Sequence, residues 1–457
     1  NAGLEWLISW LKHTNFTSKD LDLLKSQKTP EGKRVFEDEF LNWLGNINLF
    51  QMLNIEAIPE GRVIHPIEPV TVVEGPLAVA QILETALLNQ LNYQILVATK
   101  ASRIRMAGQN QMLMEFGTRR AHDRGVNAGV RAALIGGADF SSNVGISGVL
   151  GLEPKGTHSH AMVQFYMGMG MSELDAFRSY ADLYPDNCIL LVDTIDTVNS
   201  GIPNAIKVFE NLRKKGHKPL GIRLDSGDLA YLSIIAAKEL NKAGFEDVKI
   251  VLSNELDELN IWQIITQIEE EAGHHQIDPD KLINRLVYGV GTRLITSSGD
   301  SSLSGVYKLT SIFHEGEWLP TTKFSENLSK SIIPGNKKLH RIYKDSGKSN
   351  ADIISLNDEP IDDTDSICLY HPFDQDKSRK LLRSEINNME SLLVPVIKNG
   401  KLIYEFPGIE KIREVRNHDL DKLDIGVKRI IYPHTYHVSL SPGLNRLKQE
   451  VAGVFRK

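Results

Sequence analysis

Two short stretches of this 457-residue chain set ionisable side chains at spacings suited to anion chemistry. Arg223-Leu-Asp-Ser-Gly-Asp228 follows an apolar run and places Arg223 and Asp225 two residues apart. In an extended segment such alternate side chains share a face, where the guanidinium can meet an anion and the carboxylate can accept from two hydroxyls of a ribose. Asp193-Thr-Ile-Asp196 closes the preceding apolar run in the same way. These carboxylates also suit Mg²⁺ held through water, while Ser226 or Asp228 suits the N-cap of a following helix.

Lys155-Gly-Thr-His-Ser-His160 carries two histidines at alternate positions. On an extended segment they would share a face and form part of a metal pair, although no further His/Cys cluster completes a zinc set. Alternatively, one imidazole beside a carboxylate acts as a nucleophile toward phosphoryl groups, or one ring is structural and the other exposed. Glu115-Phe-Gly-Thr-Arg-Arg-Ala-His122 offers guanidinium forks for phosphate or carboxylate, with Phe116 able to stack on a flat ring or to fill a core. Gly289-Val-Gly-Thr-Arg293 lacks the full spacing of a dinucleotide or P-loop fingerprint, yet its glycines let backbone N–H groups approach phosphate and Thr292 adds a hydroxyl. Gly137-Ala-Asp-Phe-Ser-Ser-Asn143 and Ser253-Asn-Glu-Leu-Asp257 are two more polar exits, either of which suits a cap or a turn.

The elements that must position these residues follow from periodicity. Between about 111 and 310 short apolar strands end in glycine or charged clusters, and helix-like stretches lead to the next strand. The strand ends fall in Leu113–Arg119, Leu134–Asn143, Gly156–His160, Ile189–Asp196, Pro219–Asp228, Val248–Glu255, Leu286–Thr292 and Gly305–Lys308. Pro203–Lys215 and Leu229–Ala243 have helical apolar spacing and are each followed by glycine. Alternating β and α elements predict an α/β fold with a parallel sheet, and seven or eight strands suit an irregular, TIM-like barrel whose active site lies at the strand exits. Before it, residues 4–53 read as helical, 58–76 as short β pieces (Arg62-Val-Ile-His and Val70-Thr-Val-Val) and Leu77–Val97 as a helix, followed by a basic helix near Arg103 and Arg105. The expected division is an N-terminal region at 1–110, the barrel at 111–305 and a mixed β/loop extension at 306–457 that packs on the N-terminal region.

Composition narrows the function. Hydrophobic residues are 41% and charged residues 24%, which is ordinary for a folded globular chain. Lysine and arginine total 52 against 58 acidic residues, a net charge of −6 with no long basic run, so nucleic acid is not an expected partner. Cys188 and Cys368 stand alone, which excludes a disulfide framework and points to a reducing cytoplasmic location. No apolar run reaches membrane-spanning length. Asn1 opens almost directly into helical periodicity, which predicts that further residues precede it.

Taken in order, these segments resemble the nicotinate phosphoribosyltransferase family, and Lys323-Phe-Ser-Glu-Asn and Ile333-Pro-Gly extend the likeness into the C-terminal region. The resemblance implies a type II phosphoribosyltransferase fold, a homodimer, and the substrates nicotinate, 5-phosphoribosyl 1-diphosphate and ATP with Mg²⁺. The products would be nicotinate mononucleotide and diphosphate. It further implies that His160 becomes phosphorylated, that Asp193 hydrogen-bonds it, and that Glu115 or Asp139 supports the neighbouring site. By the same resemblance Phe116 lies against the pyridine ring, Thr157 and Arg223 contact nicotinate, Asp225 takes the ribose hydroxyls, Gly291 and Thr292 hold the 5-phosphate, and Arg119 faces the diphosphate. The family begins with a segment bearing an aromatic residue that covers the pyridine across a dimer interface, and this chain starts beyond it.

Three other readings compete. A nicotinamide-specific relative would need fewer cationic donors than Thr118-Arg-Arg and Thr157-His-Ser-His160 surround. A sugar-phosphate lyase or isomerase would need a Schiff-base lysine or a base pair, and Lys155 and Lys308 lack an obvious base partner. A non-catalytic metabolite-binding protein predicts loss of His160 or Asp193, and both are present.

Overall fold

The computed structural model describes residues 1–323, 332–361 and 365–455, so Phe324–Asn327 of the Lys323 motif lie outside the described residues. The chain divides into two compact units, Tyr93–Leu303 and the combination of Asn1–Asn92 with Ser304–Lys457. The division falls inside one helix of 31 residues, Leu77–Ala107. The sequence predicts two helices there. They are continuous because no glycine or proline interrupts the stretch until Gly108.

The Tyr93–Leu303 unit is built on six parallel strands. Their spatial order is Phe140–Ser141, Met112–Glu115, Leu286–Val290, Lys249–Leu252, Gly221–Leu224 and Ile189–Leu191. The pairing Leu191 to Arg223 to Val251 to Val287 runs across the sheet, so the strands finish at one rim. Apolar side chains bury both faces, with Ile222, Leu224, Ile250 and Leu252 fully enclosed on one and Met114, Val251 and Val287 clustered on the other, as parallel sheets require. Helices Ile202–Lys214 and Leu229–Lys242 fall where their spacing predicts them. Asp228 caps the second by accepting from the Ala230 and Tyr231 amides at 3.1 Å.

The α/β class holds, but the expected seven or eight strands are six, and no hydrogen bonds between the Phe140–Ser141 and Ile189–Leu191 edges close a barrel among the described residues. Gly156–Ser159 is irregular and His160 opens the helix His160–Gly168. Gly151, Pro154 and Gly156 suit a loop better than a ladder. Gly305–Lys308 is likewise no strand.

In the other unit, helices Leu4–His13, Ser18–Ser26 and Asp38–Asn46 precede a four-stranded sheet in which Asn54–Ala57 lies between Thr71–Glu74 and Val394–Lys398. Arg62-Val-Ile-His is a loop there rather than a strand. A six-stranded mixed sheet centres on Ser349–Leu356, which pairs antiparallel with Lys337–Tyr343 and parallel with Val438–Leu440. Two helices, Ile409–Lys422 and Pro442–Phe455, occupy sequence expected to be β and loop. The first hides its periodicity because its buried face carries Arg416 and Asp419 beside Ile409 and Ile412. Asp419 is matched by Arg62 at 2.8 Å and Arg341 at 3.2 Å, and Arg341 also holds Asp352 at 2.7 Å.

One close approach sets the rim of the parallel sheet. Gly201, entering the Ile202–Lys214 helix, lies against the strand exit so closely that an added Cβ would sit 1.8 Å from the Val192 carbonyl oxygen. Gly201→Ala should therefore lower stability by about 1–3 kcal/mol. A thermal melt of that variant matching the unsubstituted chain would refute the close approach.

Candidate functional site

Two adjacent strand exits supply the centre of the site. Arg223 lies in the Gly221–Leu224 strand, Asp225 follows that strand directly, and Ser253 follows the neighbouring Lys249–Leu252 strand. The guanidinium is held on three sides: Nε donates to Ser253 Oγ at 2.8 Å, Nη1 to Thr157 Oγ1 at 2.9 Å and Nη2 to Asp225 Oδ1 at 3.1 Å. Ser253 Oγ also donates to Asp225 Oδ1 at 2.5 Å. This arrangement fixes the plane of the arginine fork and leaves its outer N–H groups available to an anion. The Phe116 ring lies 5.5 Å from the guanidinium carbon. It reaches that place because Gly289 has no side chain: a Cβ there would lie 2.5 Å from Phe116 Cε2.

One strand further along, His160 Nε2 meets Asp193 Oδ1 at 3.0 Å, and the other carboxylate oxygen accepts from Ser226 Oγ at 2.6 Å. Asp193 is 3% exposed at its side chain while His160 is 38% exposed, so the carboxylate is a buried brace and the imidazole faces outward. With Nε2 turned to Asp193, Nδ1 is the ring nitrogen left for chemistry.

The two histidines do not share a face. His158 is buried, and its Nε2 accepts from the Leu191 amide at 2.9 Å. That bond puts the ring proton on Nδ1, which faces the Ser159 carbonyl oxygen at 3.3 Å. Alternation fails because the chain turns from loop to helix at Ser159. Among the described residues, no group of three or more His, Cys, Asp or Glu side chains could hold a metal ion.

Glu115 is fully buried, accepting from the Gly117 amide and, at 2.6 Å, from the Ser141 hydroxyl. Burial raises its carboxyl above the usual range. It braces the turn after its strand instead of facing an open site. Asp139 is not brought to the cluster. It precedes the Phe140–Ser141 strand and binds Arg105 at 2.6 Å and the Leu113 amide at 2.9 Å, at the entry end of the sheet. Arg119 is exposed on the single turn Thr118–Arg120. Gly291 and Thr292 begin the turn after Leu286–Val290, and a Cβ on Gly291 would lie 3.2 Å from the Phe116 carbonyl oxygen.

Of the further carboxylates at the exits, Asp196 and Asp228 are spent on helix caps. Arg293 is tied to Asp257 at 2.7 Å. Sequence reasoning offered Ser226 or Asp228 as a helix cap and the Ser253–Asp257 exit as a cap or a turn, whereas the Ser226 hydroxyl donates to Asp193 and the Ser253 hydroxyl to Asp225. The signal was available for Ser226, since Asp228 is better placed for the cap and leaves the serine for another acceptor.

Short parallel strands that end together at a guanidinium, two carboxylates, an imidazole and several hydroxyls define an α/β protein that handles an anionic small molecule at the carboxyl rim of its sheet. Within that class, the chain belongs to the nicotinate phosphoribosyltransferase family. The family model matches residues 111–348, and the models of its N-terminal and C-terminal domains match 1–92 and 336–448. The chain is 38% identical over 442 residues to nicotinate phosphoribosyltransferase of Bacillus subtilis, covering 96% of this chain and 84% of that protein. It is 32% identical to that of Caenorhabditis elegans, over 97% of this chain and 84% of that protein. The crystal structure of human nicotinic acid phosphoribosyltransferase superposes with a TM-score of 0.77 at 25% identity, covering 98% of this chain and 91% of that chain.

Burial holds the His158 ring down at about 4, below the ordinary 6.5. Above pH 6.5 the ring is neutral whether folded or unfolded. Between 6.5 and about 4 the unfolded chain takes up a proton that the folded one refuses, so this residue's share of stability falls with pH, by up to about 3 kcal/mol. Ring-nitrogen NMR should show His158 neutral and Nδ1-protonated at pH 5.5; a midpoint near 6.5 would contradict the buried acceptor role.

Proposed function

We propose that this chain is a nicotinate phosphoribosyltransferase whose turnover is coupled to ATP hydrolysis through His160. The observation that carries the reading is the Arg223 fork, locked by Thr157, Ser253 and Asp225 beside the Phe116 ring. A flat ring bearing a carboxylate fits this pairing: the fork takes the anion and the phenylalanine takes the ring face. Nicotinamide lacks the charge, so the same fork favours the acid.

In the proposed reaction the pyridine nitrogen of nicotinate attacks the anomeric carbon of 5-phosphoribosyl 1-diphosphate. The N–C bond forms as the C–O bond to diphosphate breaks, and diphosphate leaves with that electron pair. Charge at the anomeric carbon rises in the transition state, so the residues act by alignment and electrostatics. Asp225 keeps Oδ2 for the ribose hydroxyls while Oδ1 is held by Arg223 and Ser253. Gly291 and Thr292 are assigned the 5-phosphate and Arg119 the diphosphate. Glu115 acts by holding the Phe116–Gly117 turn. Asp139 is not given a substrate contact, because it serves Arg105 at the other end of the sheet. Mg²⁺ would fit as a companion of the diphosphate: a cation that keeps most of its waters needs only one or two carboxylates, and Asp225 could meet it through one of those waters beside the ribose hydroxyls. When bound it neutralises leaving-group charge.

For the ATP step, the His160 Nδ1 lone pair attacks the γ-phosphorus. The N–P bond forms, the bond to the β–γ bridging oxygen breaks, and ADP leaves. The Nε2 proton stays on the ring facing Asp193, which stabilises the resulting positive charge. Hydrolysis later returns the lone pair to Nδ1 and releases phosphate. A homodimer and a cytoplasmic location complete the proposal. No helix among the described residues is long and apolar enough to cross a membrane.

The purified protein should form nicotinate mononucleotide from nicotinate and 5-phosphoribosyl 1-diphosphate faster with ATP than without, and little product from nicotinamide. His160→Ala should retain slow synthesis and lose the ATP stimulation; ATP stimulation that survives the substitution would overturn the assignment. Arg223→Lys removes the fork and should raise the KM for nicotinate about 10- to 100-fold. An unchanged KM would move the carboxylate to another cation.

A further inference from the structure

The hydroxyl of Ser226 bridges two parts of the site that come from different strand exits. Ser226 follows Asp225 directly in the chain, and its Oγ donates to Asp193 Oδ2 at 2.6 Å. Asp193 in turn holds His160 through its other oxygen at 3.0 Å. The segment carrying Ser226 is pinned at both ends. On one side Asp225 is held by Arg223 and Ser253, and on the other Asp228 caps the Leu229–Lys242 helix. Gly227 between them adopts φ +78°, which makes the turn tight and moves the serine with its neighbours.

We infer that Ser226 is a positioning residue that couples occupancy of the Asp225 subsite to the chemistry of His160. This rests on the functional reading above. A sugar diol drawn to Asp225 Oδ2 pulls on the residue next to Ser226. Any shift of the serine changes the hydrogen bond on a carboxylate whose side chain is 3% exposed and which has the imidazole on its other oxygen. That carboxylate sets the orientation of the imidazole and stabilises the charge formed when Nδ1 takes a phosphoryl group. Binding of the phosphoribosyl donor is thereby sensed at the histidine through one hydroxyl, with no movement of a domain. Ser226 is itself exposed, so its removal leaves the core intact.

The test compares the whole protein with Ser226→Ala and Ser226→Thr, using ATP labelled at the γ-phosphate with and without 5-phosphoribosyl 1-diphosphate. In the unsubstituted protein, label should appear on His160, and ATP turnover should respond to the phosphoribosyl donor. In Ser226→Ala, label should still form, the response to the donor should vanish, and ATP consumed per nicotinate mononucleotide should rise roughly three- to tenfold, as expected for loss of one hydrogen bond. Ser226→Thr keeps the hydroxyl and should restore the ratio, which a merely structural role would not require. An unchanged ratio and an intact donor response in Ser226→Ala overturn the coupling while leaving His160 as phosphoryl acceptor. No label on His160 in the unsubstituted protein overturns that reading of the histidine, and the coupling with it.

Discussion

A guanidinium in a half-buried site must have its donors directed, and the three hydrogen bonds that direct Arg223 organise the rest of the rim. They draw Thr157 from the loop before the His160–Gly168 helix, Asp225 from its own strand exit and Ser253 from the next strand. Each of those partners lies in a different connection. The position of one side chain therefore constrains three loops at once. Phe116 enters the same arrangement from a third strand exit, through the space left by Gly289.

The sheet makes this economy possible. Parallel strands in continuous register end at the same rim, so residues far apart in sequence arrive within hydrogen-bond reach without a long loop to carry them. The strand bodies contribute mainly burial and the exits mainly polar groups, with Arg223 inside its strand and Phe116 at an exit. Glu115 departs from this in another way. It is a carboxylate buried at an exit, and its cost is offset by the Ser141 hydroxyl and the Gly117 amide that it satisfies.

The other unit solves a different problem with the same chemistry. Arg341 and Asp352 lie almost entirely out of water, and Tyr436 donates to Asp352 at 2.8 Å. Arg62 extends the network to Glu390 at 2.7 Å. Such charges are tolerated only in matched sets, because a single unpaired member would bear its full desolvation penalty. The helix Ile409–Lys422 shows the consequence for reading a sequence: Arg416 and Asp419 interrupt an apolar stripe with charges that look solvent-facing and are buried.

The local chemistry was legible in the amino-acid order. Arg223 and Asp225 at alternating positions and the glycines at 289 and 291 follow from backbone geometry and side-chain type, and so do the Ile202–Lys214 and Leu229–Lys242 helices, whereas the choice of His160 over His158 came from the resemblance to the family. What the order did not determine is which groups meet across strands. Asp139 and Asp193 look alike in sequence, since each is a carboxylate beside a short apolar run. Yet one lies at the entry of its strand with Arg105, and the other past the exit of its strand with His160. His158 and His160 look paired, but one is buried behind the Leu191 amide. Six parallel strands among the described residues in place of seven or eight, and Ser226 bound to Asp193 rather than to a helix end, were likewise settled by the tertiary structure. The physical reason is that propensity and periodicity act over a few neighbouring residues. Strand order, register and the pairing of buried polar groups are decided by contacts across the sheet, where each donor takes the acceptor that folding brings nearest.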